Sequence, residues 1–417
     1  MSIETETIAA LQRARVAAPR MALATTAQKN DFLARLARSI RASQAAILDA
    51  NAADLKRARA NGRAGAFVER LTLDPKRVEA MAAGVDQVAQ LADPVGAVIE
   101  RWERPNGLRI EKVRVPLGVI AIIYESRPNV TVDAAALTLK SGNAVVLRGG
   151  SEALNCNAYL AGLVARALKD AGLDADAATF IGNPDRETIQ VMKRHPELIE
   201  LIIPRGGKSL KEALAGSIVP LMPHFDGLCH TYVDRAADLK MAEEICFNAK
   251  CSRPSVCNAM ENLLVHSAVA EKFLPPLAAR LTAAGVEIRG DERTRKIVAA
   301  ARPATEEDWD TEYLDLILAV KIVDSLDEAL AFIERHGSRL ADAIVTGDAA
   351  TASRFEREVD SATVYVNAST RFTDGFEFGF GAETGISNNR LHARGPMGLN
   401  ELTTYKYVIR GSGQVRG

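Results

Sequence analysis

The chain contains 417 residues, which is enough for two or three domains with several buried cores. Hydrophobic residues make up 47% and charged residues 25%, so a long disordered, collagen-like or coiled-coil chain is excluded. With 52 Lys and Arg against 53 Asp and Glu, the net charge is −1, and we expect neither nucleic acid nor a membrane surface as a partner.

The start of the chain, Met-Ser-Ile-Glu-Thr-Glu, is acidic and has no secretory signal pattern, and the longest apolar runs are too short for a membrane helix. Five cysteines are too few for a disulfide scaffold, and their odd number leaves at least one thiol free. They lack CxxC spacing and a neighbouring histidine set, so we expect no metal site. A reducing, cytoplasmic location is the simplest prediction.

Residues 4–92 are predicted to be helical. Apolar residues between Phe32 and Ile47 recur with a helical period, with arginines turned outward, so this helical arm is expected to pack against another part of the chain. Two β segments follow, 97–103 and 108–115. The Asn106-Gly107 dipeptide between them favours a hairpin turn.

From Gly118 onward, short apolar runs alternate with amphipathic helices. The first series of runs is 119–124, 144–147, 179–181 and 201–203, and the second is 231–233, 263–265, 286–288, 317–323, 343–345 and 363–366. Such alternation predicts an α/β fold with two tandem parallel-sheet domains. The Gly-, Phe-, Asn- and Arg-rich segment 370–400 is predicted to be an ordered functional loop, and 402–410 a last strand.

Ligands of open parallel sheets lie at the carboxyl ends of strands. The first run is followed by a dense polar segment, Glu125-Ser126-Arg127-Pro128-Asn129, for which a plain surface turn is the alternative. Two further runs are followed by Arg148-Gly149-Gly150-Ser151 and by Gly206-Gly207-Lys208. Bare backbone beside a cation suits phosphate oxygens, and two such turns in one sheet suggest a nucleotide. Neither turn is a Walker or GxGxxG motif, and each alone could be an ordinary turn.

Cys257 and Cys251 are the candidate nucleophiles, because their loop carries Arg253 and cations promote thiolate formation. Cys257 is favoured, and a buried, inert thiol is the alternative for both. His224, Asp226 and His230 could form an acid, base and orienting group. Hydrogen bonding to neighbouring strand ends is the other interpretation of these residues.

Five motifs carry a closer resemblance. They occupy 115–135, 139–153, 203–208, 366–374 (Val-Asn-Ala-Ser-Thr-Arg-Phe-Thr-Asp) and 391–397 (Leu-His-Ala-Arg-Gly-Pro-Met). Together they closely resemble the gamma-glutamyl phosphate reductase family of the aldehyde dehydrogenase superfamily, over nearly the whole chain. This resemblance implies NADPH-dependent reduction of L-glutamyl 5-phosphate to L-glutamate 5-semialdehyde with release of phosphate, the second step of proline biosynthesis.

The resemblance also implies a domain plan of two Rossmann-like domains and a small β oligomerisation flap. Residues 1–96 and 116–227 would form the cofactor-binding domain with its helical arm, 97–115 and 402–417 the flap, 228–366 the catalytic domain, and 367–401 a return segment that contacts the active site and cofactor. A homo-oligomer is expected, with a glutamate 5-kinase as a candidate partner that supplies the substrate.

The family's nucleophile falls on Cys257, which would form a thioester, and Asn129 is expected to stabilise the carbonyl oxyanion together with the Cys257 amide. Cofactor binding is assigned to Arg148, Gly149, Gly150, Ser151, Gly206, Gly207 and Lys208. Arg148 is expected to grip the 2′-phosphate of NADPH. Substrate binding is assigned to Glu125, Ser126, Arg127, Arg253, Asn367, Ser369, Thr370 and Arg371. Which of the three arginines binds the acyl phosphate of the substrate, and which its amino-acid carboxylate, is left open.

Two departures from relatives stand out. Hydrolytic aldehyde dehydrogenases carry Glu-Leu-Gly-Gly where this chain has His224-Phe-Asp-Gly, which favours reduction over hydrolysis of the thioester. The segment 337–344 lacks the His and Ser or Thr usual in the family before Asp-Ala-Ile. The alternatives are a CoA-acylating or hydrolytic aldehyde dehydrogenase of the same fold, and a catalytically silent nucleotide-binding or assembly protein.

Overall fold

A computed structural model describes residues 2–63, 65–222 and 227–416, apart from the side chains of Ala66 and Lys208. The described residues form two compact units. The first unit contains the described residues up to 222 together with Gly379–Gly385 and residues 397–416, and the second contains residues 227–378 and Ile386–Pro396. No helix in the described ranges is long and apolar enough to cross a bilayer.

The first unit begins with the predicted helical arm. Its five helices are α1 (Ile3–Ala22), α2 (Thr26–Ala42), α3 (Gln44–Ala60), α4 (Ala66–Leu71) and α5 (Pro75–Gln90). Thr25 and Gln28 form a capping box that starts α2, and Asp74 caps α5 just before Pro75 at its first position. The apolar stripe of α2 is fully buried, as its periodicity predicts.

A four-stranded parallel sheet follows the arm. It comprises β3 (Val119–Tyr124), β4 (Ala144–Gly149), β5 (Ala178–Phe180) and β6 (Leu201–Arg205) in the order β5-β4-β3-β6, after the hairpin strands β1 (Val98–Glu103) and β2 (Arg109–Pro116). Its helices are α6 (Val130–Lys140), α7 (Leu154–Asp170), α8 (Glu187–Met192) and α9 (Lys208–Leu214). All residues of β3 and β4 are buried, because helices cover the sheet, and α2 of the arm packs on α7.

The second unit is built on a seven-stranded parallel sheet in the order β10-β9-β11-β8-β7-β12-β13. Its strands are β7 (Cys229–Val233), β8 (Met260–His266), β9 (Glu287–Gly290), β10 (Arg302–Pro303), β11 (Ile317–Val323), β12 (Ala341–Val345) and β13 (Thr363–Val366). Its helices are α10 (Leu239–Cys251), α11 (Ser267–Ala283), α12 (Glu292–Ile297), α13 (Glu306–Trp309), α14 (Leu326–His336) and α15 (Ala349–Glu358). The prediction of two parallel-sheet units is confirmed.

Within the return segment, the described backbone has little regular structure. A single 3₁₀ turn covers Thr370–Phe372, and two two-residue strands, β14 (Ile386–Ser387) and β15 (Gly395–Pro396), pair antiparallel. Strands this short leave no alternating pattern in the sequence, so neither they nor β10 could be predicted.

The predicted hairpin and last strand form a separate sheet of the first unit. The strands β1 and β2 pair antiparallel, and β16 (Thr403–Arg410) pairs with β2 along its whole length, which gives the order β1-β2-β16. Gly107 has φ +83° at the turn, a conformation that glycine adopts without strain. The two outer strands therefore each keep one edge without a partner strand within the described chain.

Candidate active site

Cys257 lies in the second unit, on the loop that connects α10 to β8. Its side chain is partly exposed, as a nucleophile requires. The loop starts where Pro254 follows the end of the helix, and it ends as the chain enters the buried core of the sheet at Ala259. The parallel topology thus places the thiol at the start of β8.

The backbone of Cys257 is packed against Gly227, just before β7. A Cβ atom on Gly227 would lie 1.9 Å from the Cys257 carbonyl oxygen, so only glycine can occupy this position. The same carbonyl accepts a hydrogen bond from the Cys229 thiol at 3.3 Å. These contacts fix the peptide group that follows the nucleophile.

Asn258, the neighbour of Cys257, is buried, and residues of the return segment hold its side chain and backbone by hydrogen bonds. Its side-chain amide donates a hydrogen bond to the backbone carbonyl of Thr373 at 2.7 Å, and its backbone carbonyl accepts one from the Thr370 hydroxyl at 2.8 Å. The Arg371 guanidinium donates to the Asn258 Oδ1 and, through Nε, to the Ser252 hydroxyl at 3.1 Å. The segment 370–373 therefore holds both ends of the loop 252–259, which carries the candidate nucleophile Cys257 and is called the nucleophile loop below.

Two guanidinium groups lie beside the loop. Burial lowers the pKa of Arg371, and the nearby positive charge of Arg253 lowers it further, while Cys257 is close enough to raise it. Arg253 itself is exposed. A guanidinium near a cysteine, here Arg371 near Cys257, is the kind of surrounding in which thiolates are stabilised.

A buried ion pair brackets the same loop. Lys250 Nζ lies 2.6 Å from Glu261 Oε2, and both side chains are completely buried. Lys250 is the residue before the end of α10, and Glu261 is the second residue of β8. Burial raises the pKa of Glu261 to about 7, and the charge of Lys250 opposes this rise. The pair joins the two elements from which the nucleophile loop emerges.

Burial raises the pKa of each of the other four thiols. For Cys156 the pKa rises to about 12. Cys229 and Cys246 are fully buried, and Cys251, the alternative nucleophile, is partly buried at the end of its helix. A raised pKa lowers the thiolate fraction, which makes these thiols poorer nucleophiles.

His230 makes the hydrogen bonds of the plainer interpretation. Its Nδ1 lies 2.8 Å from the Asp342 carboxylate on the adjacent strand β12, and both side chains are fully buried. Asp342 also accepts the His230 backbone N–H at 2.9 Å and the Ser361 hydroxyl. His230 thus ties neighbouring strands together. His224 and Asp226 lie outside the described residues.

In the first unit, the polar segment after β3 is folded back on the sheet. Ser126 has φ +52°, and its backbone N–H and hydroxyl donate to Glu152 Oε1 at 2.5 and 3.1 Å. The carboxylate of Glu125 accepts the Gly207 N–H at 3.2 Å. Both carboxylates therefore accept backbone N–H groups at the carboxyl ends of the strands.

Asn129 is held by Asp133, one turn later in α6. The Asn129 side-chain amide donates to the Asp133 carboxylate at 2.8 Å. Burial raises the pKa of Asp133 to about 6, against the opposing effects of the Asn129 bond and the nearby Arg205. One of the two N–H bonds of the Asn129 amide is used in this way, and its role at an oxyanion stays a prediction.

A pocket of about 710 Å³ opens beside Glu125, Ser126 and Glu152. This volume is typical of small-molecule and cofactor sites. All of its lining belongs to the first unit. Apolar lining comes from Leu154, Pro184, Ile189, Leu210 and Ala213, and polar lining from Glu125, Ser126, Arg148, Gly150, Ser151, Glu152, Arg186 and Ser209. The arm adds Arg57, Ala58, Asn61, Gly62, Arg63 and Phe67. An apolar wall beside cations fits the adenosine half of a dinucleotide.

Arg148 lies in the pocket wall and is almost fully buried. Its guanidinium donates to the carbonyls of Pro184 and Asp185 at 2.6 and 3.2 Å and to the Thr188 hydroxyl at 3.3 Å. Burial lowers its pKa. Arg148 thus holds the loop before α8, and its role as a 2′-phosphate ligand stays a prediction.

The comparisons with known proteins agree with this geometry. Residues 2–297 match the model of the aldehyde dehydrogenase family. The chain belongs to the aldehyde dehydrogenase family. Among its relatives, the gamma-glutamyl phosphate reductase of Moorella thermoacetica is 54% identical over the full length of both chains. That of Carboxydothermus hydrogenoformans is 55% identical, covering 97% of this chain and 98% of its own.

A solved structure, the gamma-glutamyl phosphate reductase of Thermotoga maritima, matches this aldehyde dehydrogenase family member with a TM-score of 0.97. It is 47% identical, and the match covers 99% of this chain and 100% of that one. The resemblance predicted from the motifs, and the α/β fold that it implied, are therefore confirmed.

The predicted residues of this aldehyde dehydrogenase family member fall into two groups. Gly149 ends β4, and Gly150, Ser151, Gly206 and Gly207 follow strands of the first unit, with Gly150 and Ser151 at the pocket. The other group, Cys257, Arg253, Thr370 and Arg371, lies in the second unit. Arg127 lies between Ser126 and Pro128 in the first unit. The backbone of Lys208 begins α9, and its side chain lies outside the described part.

Two predicted substrate residues have structural contacts. Asn367 pairs with the backbone of Thr346 through two hydrogen bonds of 2.9 Å, and Ser369 is buried and accepts the Arg371 N–H at 3.3 Å. Their contact with a substrate stays a prediction.

Sequence reasoning missed the arm's part in the pocket and the Lys250–Glu261 pair. A charged residue within a helix or strand pattern resembles any exposed charge, so the sequence carries no signal for either feature.

Proposed function

We propose that the protein is an NADPH-dependent L-glutamyl 5-phosphate reductase, which forms L-glutamate 5-semialdehyde and phosphate through a thioester on Cys257. The observation that carries this proposal is the nucleophile loop. Cys257 is partly exposed on a braced loop that also carries Arg253, and it lies near Arg371, while burial raises the pKa of the other four thiols. The named relatives support the same activity.

In the first step, the Cys257 thiolate attacks the acyl carbon and phosphate leaves with the electron pair of the broken C–O bond. Arg371 is engaged by Ser252 and Asn258, so we assign to it the positioning of the loop. Arg253 is exposed, and we assign to it the phosphate of the substrate. A guanidinium is suited to this task because it binds phosphate oxygens bidentately.

The next steps regenerate the thiolate. When bound, the nicotinamide cofactor supplies the hydride that reduces the thioester carbon. We assign the stabilisation of the resulting alkoxide to the Cys257 backbone N–H, and the collapse of this alkoxide to the aldehyde returns the electron pair to sulfur. The Gly227 contact fixes the carbonyl side of Cys257, in the peptide group that follows it.

The pocket of the first unit supports the cofactor assignment. Its apolar wall, which includes Pro184 and Leu210, would hold the adenine, and Ser151 lies where the ribose of a dinucleotide meets the second strand of such a sheet. Arg148 keeps the loop of that wall in place.

The test is the reverse reaction on the full chain. We expect the wild type to reduce NADP⁺ with glutamate 5-semialdehyde only when phosphate is present. Cys257→Ala should lose more than about 10³-fold in rate, because removing a nucleophile removes the covalent route. Cys251→Ala, at the end of the helix that precedes the loop, is the matched control and should keep its activity.

Other outcomes would point elsewhere. NADP⁺ reduction that needs CoA instead of phosphate would indicate an acylating enzyme, and reduction without either acceptor would indicate a hydrolytic one. Mass spectrometry of a stalled reaction should place the acyl group on the tryptic peptide that contains Cys257. An acyl group on another residue would overturn the mechanism.

We also infer that the three-stranded sheet joins copies of this chain. Its exposed apolar side chains include Val98, Ile99, Tyr405, Tyr407 and Ile409, the last with 58% of its surface exposed. Strand edges without partners and exposed apolar groups favour pairing with a second copy. Light scattering after gel filtration should show an oligomer for the wild type and a smaller species for Ile409→Glu. An unchanged mass would contradict this assignment.

The substrate chemistry suggests the protein's surroundings. An acyl phosphate is made by transfer of a phosphoryl group to a carboxylate, so an amino-acid kinase, glutamate 5-kinase, is proposed as the upstream partner. All five cysteines are free thiols, which fits the reducing cytoplasm.

A further inference from the structure

One wall of the pocket in the first unit comes from the helical arm, not from the sheet. Arg57 and Ala58 near the end of α3, together with Arg63 and Phe67 further along the arm, line the pocket. An arm that only stabilised the fold would not need to place two guanidinium groups at the mouth of a cofactor pocket.

Arg57 is anchored through Asp54, one turn earlier in α3. The Asp54 carboxylate is fully buried and accepts the Cys156 N–H at 2.9 Å and the Asn155 side-chain amide at 2.9 Å. Asn155 and Cys156 belong to the first turn of α7, the helix that follows β4. Asp54 therefore joins the arm to the start of that helix.

The same carboxylate orients the Arg57 guanidinium. Arg57 Nη2 lies 2.8 Å from Asp54 Oδ1 and 2.6 Å from the carbonyl oxygen of Ser151. Within the described chain, Nε and Nη1 of Arg57 have no hydrogen-bond partner, and 42% of the side chain is exposed. A guanidinium fixed by one nitrogen thus keeps two N–H-bearing nitrogens for a ligand in the pocket.

The position of Ser151 decides which part of a dinucleotide Arg57 would meet. Ser151 follows β4, the second strand of the βαβ unit that begins with β3. In dinucleotide-binding sheets, side chains near the end of the second strand contact the adenosine ribose, where a carboxylate suits the 2′-hydroxyl of NAD and an arginine the 2′-phosphate of NADP. Here the nearby carboxylate, Glu152, accepts hydrogen bonds from Ser126.

The charges on the pocket wall favour a phosphate. Four guanidinium groups line the pocket against the carboxylates of Glu125 and Glu152. Arg148, the residue expected from sequence to bind the 2′-phosphate, donates to two carbonyls and a hydroxyl of its own wall. Arg57 stands closer to solvent and is the better placed cation.

We propose that Arg57 is the specificity-determining residue for the 2′-phosphate of NADP(H), so that the helical arm sets the cofactor preference. This inference rests on the NADPH assignment of the proposed function and names the residue that carries it. Charge-assisted, bidentate contact between a guanidinium and a phosphate gives both affinity and selectivity, whereas NAD(H) has no phosphate for Arg57 to bind.

Calorimetric titration of the full chain tests the proposal without turnover. The probes are NADP⁺, NAD⁺ and 2′,5′-ADP, which carries the 2′-phosphate alone. For Arg57→Gln we expect the affinity for NADP⁺ and for 2′,5′-ADP to fall about 10- to 100-fold, while that for NAD⁺ changes less than about 2-fold. Arg57→Lys, which keeps the charge, should lose less than the glutamine variant. Arg59→Gln, an exposed arginine on the same helix that does not line the pocket, is the matched control and should bind like the wild type.

The outcomes separate this inference from the cofactor assignment. A wild type that binds NADP⁺ no more tightly than NAD⁺ would overturn both. A wild type that prefers NADP⁺ and an Arg57→Gln variant with the same preference would overturn the role of Arg57 alone. Equal losses for NADP⁺ and NAD⁺ in Arg57→Gln would also overturn it, because they would show that Arg57 only maintains the pocket.

Discussion

The buried ion pair that brackets the nucleophile loop makes a quantitative prediction about stability. In Lys250→Met, the carboxylate of Glu261 stays buried without its cation. Breaking a fully buried pair from one side costs about 3–5 kcal/mol of folding free energy. For a unit of this size, such a loss lowers the melting temperature by about 6–20 °C.

The pH dependence of this loss follows from the pKa of Glu261. Burial raises that pKa from its usual value of 4.5 to about 7, so the folded protein binds the proton more tightly than the unfolded chain does. A carboxyl group of this kind contributes less to stability as the pH rises from about 4.5 to 7. Without Lys250 its pKa rises further, so the variant should lose more stability relative to the wild type at pH 8 than at pH 6.

Thermal and denaturant unfolding of three variants at both pH values checks this reasoning. In Lys250→Met/Glu261→Leu, both charges are gone, and we expect most of the lost stability to return. Glu261→Gln leaves the ammonium group buried instead, and its loss should be larger at pH 6. A cost below about 1 kcal/mol for Lys250→Met at both pH values would contradict this role of the ion pair, and so would a double variant as unstable as the single one.

Two other predictions concern the loop itself. Gly227→Ala would place a methyl group against the Cys257 carbonyl oxygen and displace the loop. We expect kcat to fall at least about 100-fold, because displacing a reacting group by about 1 Å has effects of this size. Gly84→Ala is the control, since Gly84 lies on a helix with open space around it, and this variant should keep the kcat of the wild type. Asn258→Ala removes the oxygen that accepts a hydrogen bond from the Arg371 guanidinium. Alkylation of Cys257 by iodoacetamide should therefore slow about 10-fold, and the melting temperature should fall by a few degrees. Alkylation at the wild-type rate would show that the brace does not position the thiol.

Much of the fold followed from local pattern. The apolar run 119–124 is followed by further short apolar runs that are separated by helices. This pattern predicted buried parallel strands, because strands of a parallel sheet are covered by helices on both faces. The Asn106-Gly107 turn predicted its hairpin from the backbone conformation that glycine allows. The motif resemblance then predicted the family, which the comparisons confirm, and it implied Cys257 as the nucleophile, which stays a prediction.

The contacts that complete the site could not be predicted in the same way. The bond from Arg57 to Ser151 joins residues 94 positions apart, and that from Asn258 to Thr373 joins residues 115 positions apart. Such partners are chosen by tertiary packing, which leaves no periodic trace in the sequence. Arg148 shows the opposite difficulty, because its place after the strand was evident, whereas its bonds to the Pro184 loop were not.

The two compact units are not continuous pieces of the chain. The polypeptide passes from one to the other at residues 222–227, again after Phe378, again after Gly385 and finally after Pro396. A chimera that exchanged the first unit between two relatives would have to join the two sequences at every one of these junctions. With a single junction, Gly379–Gly385 would come from a different relative than the rest of the first unit. For protein engineers, cofactor preference in this enzyme is therefore better altered by point substitution than by swapping domains.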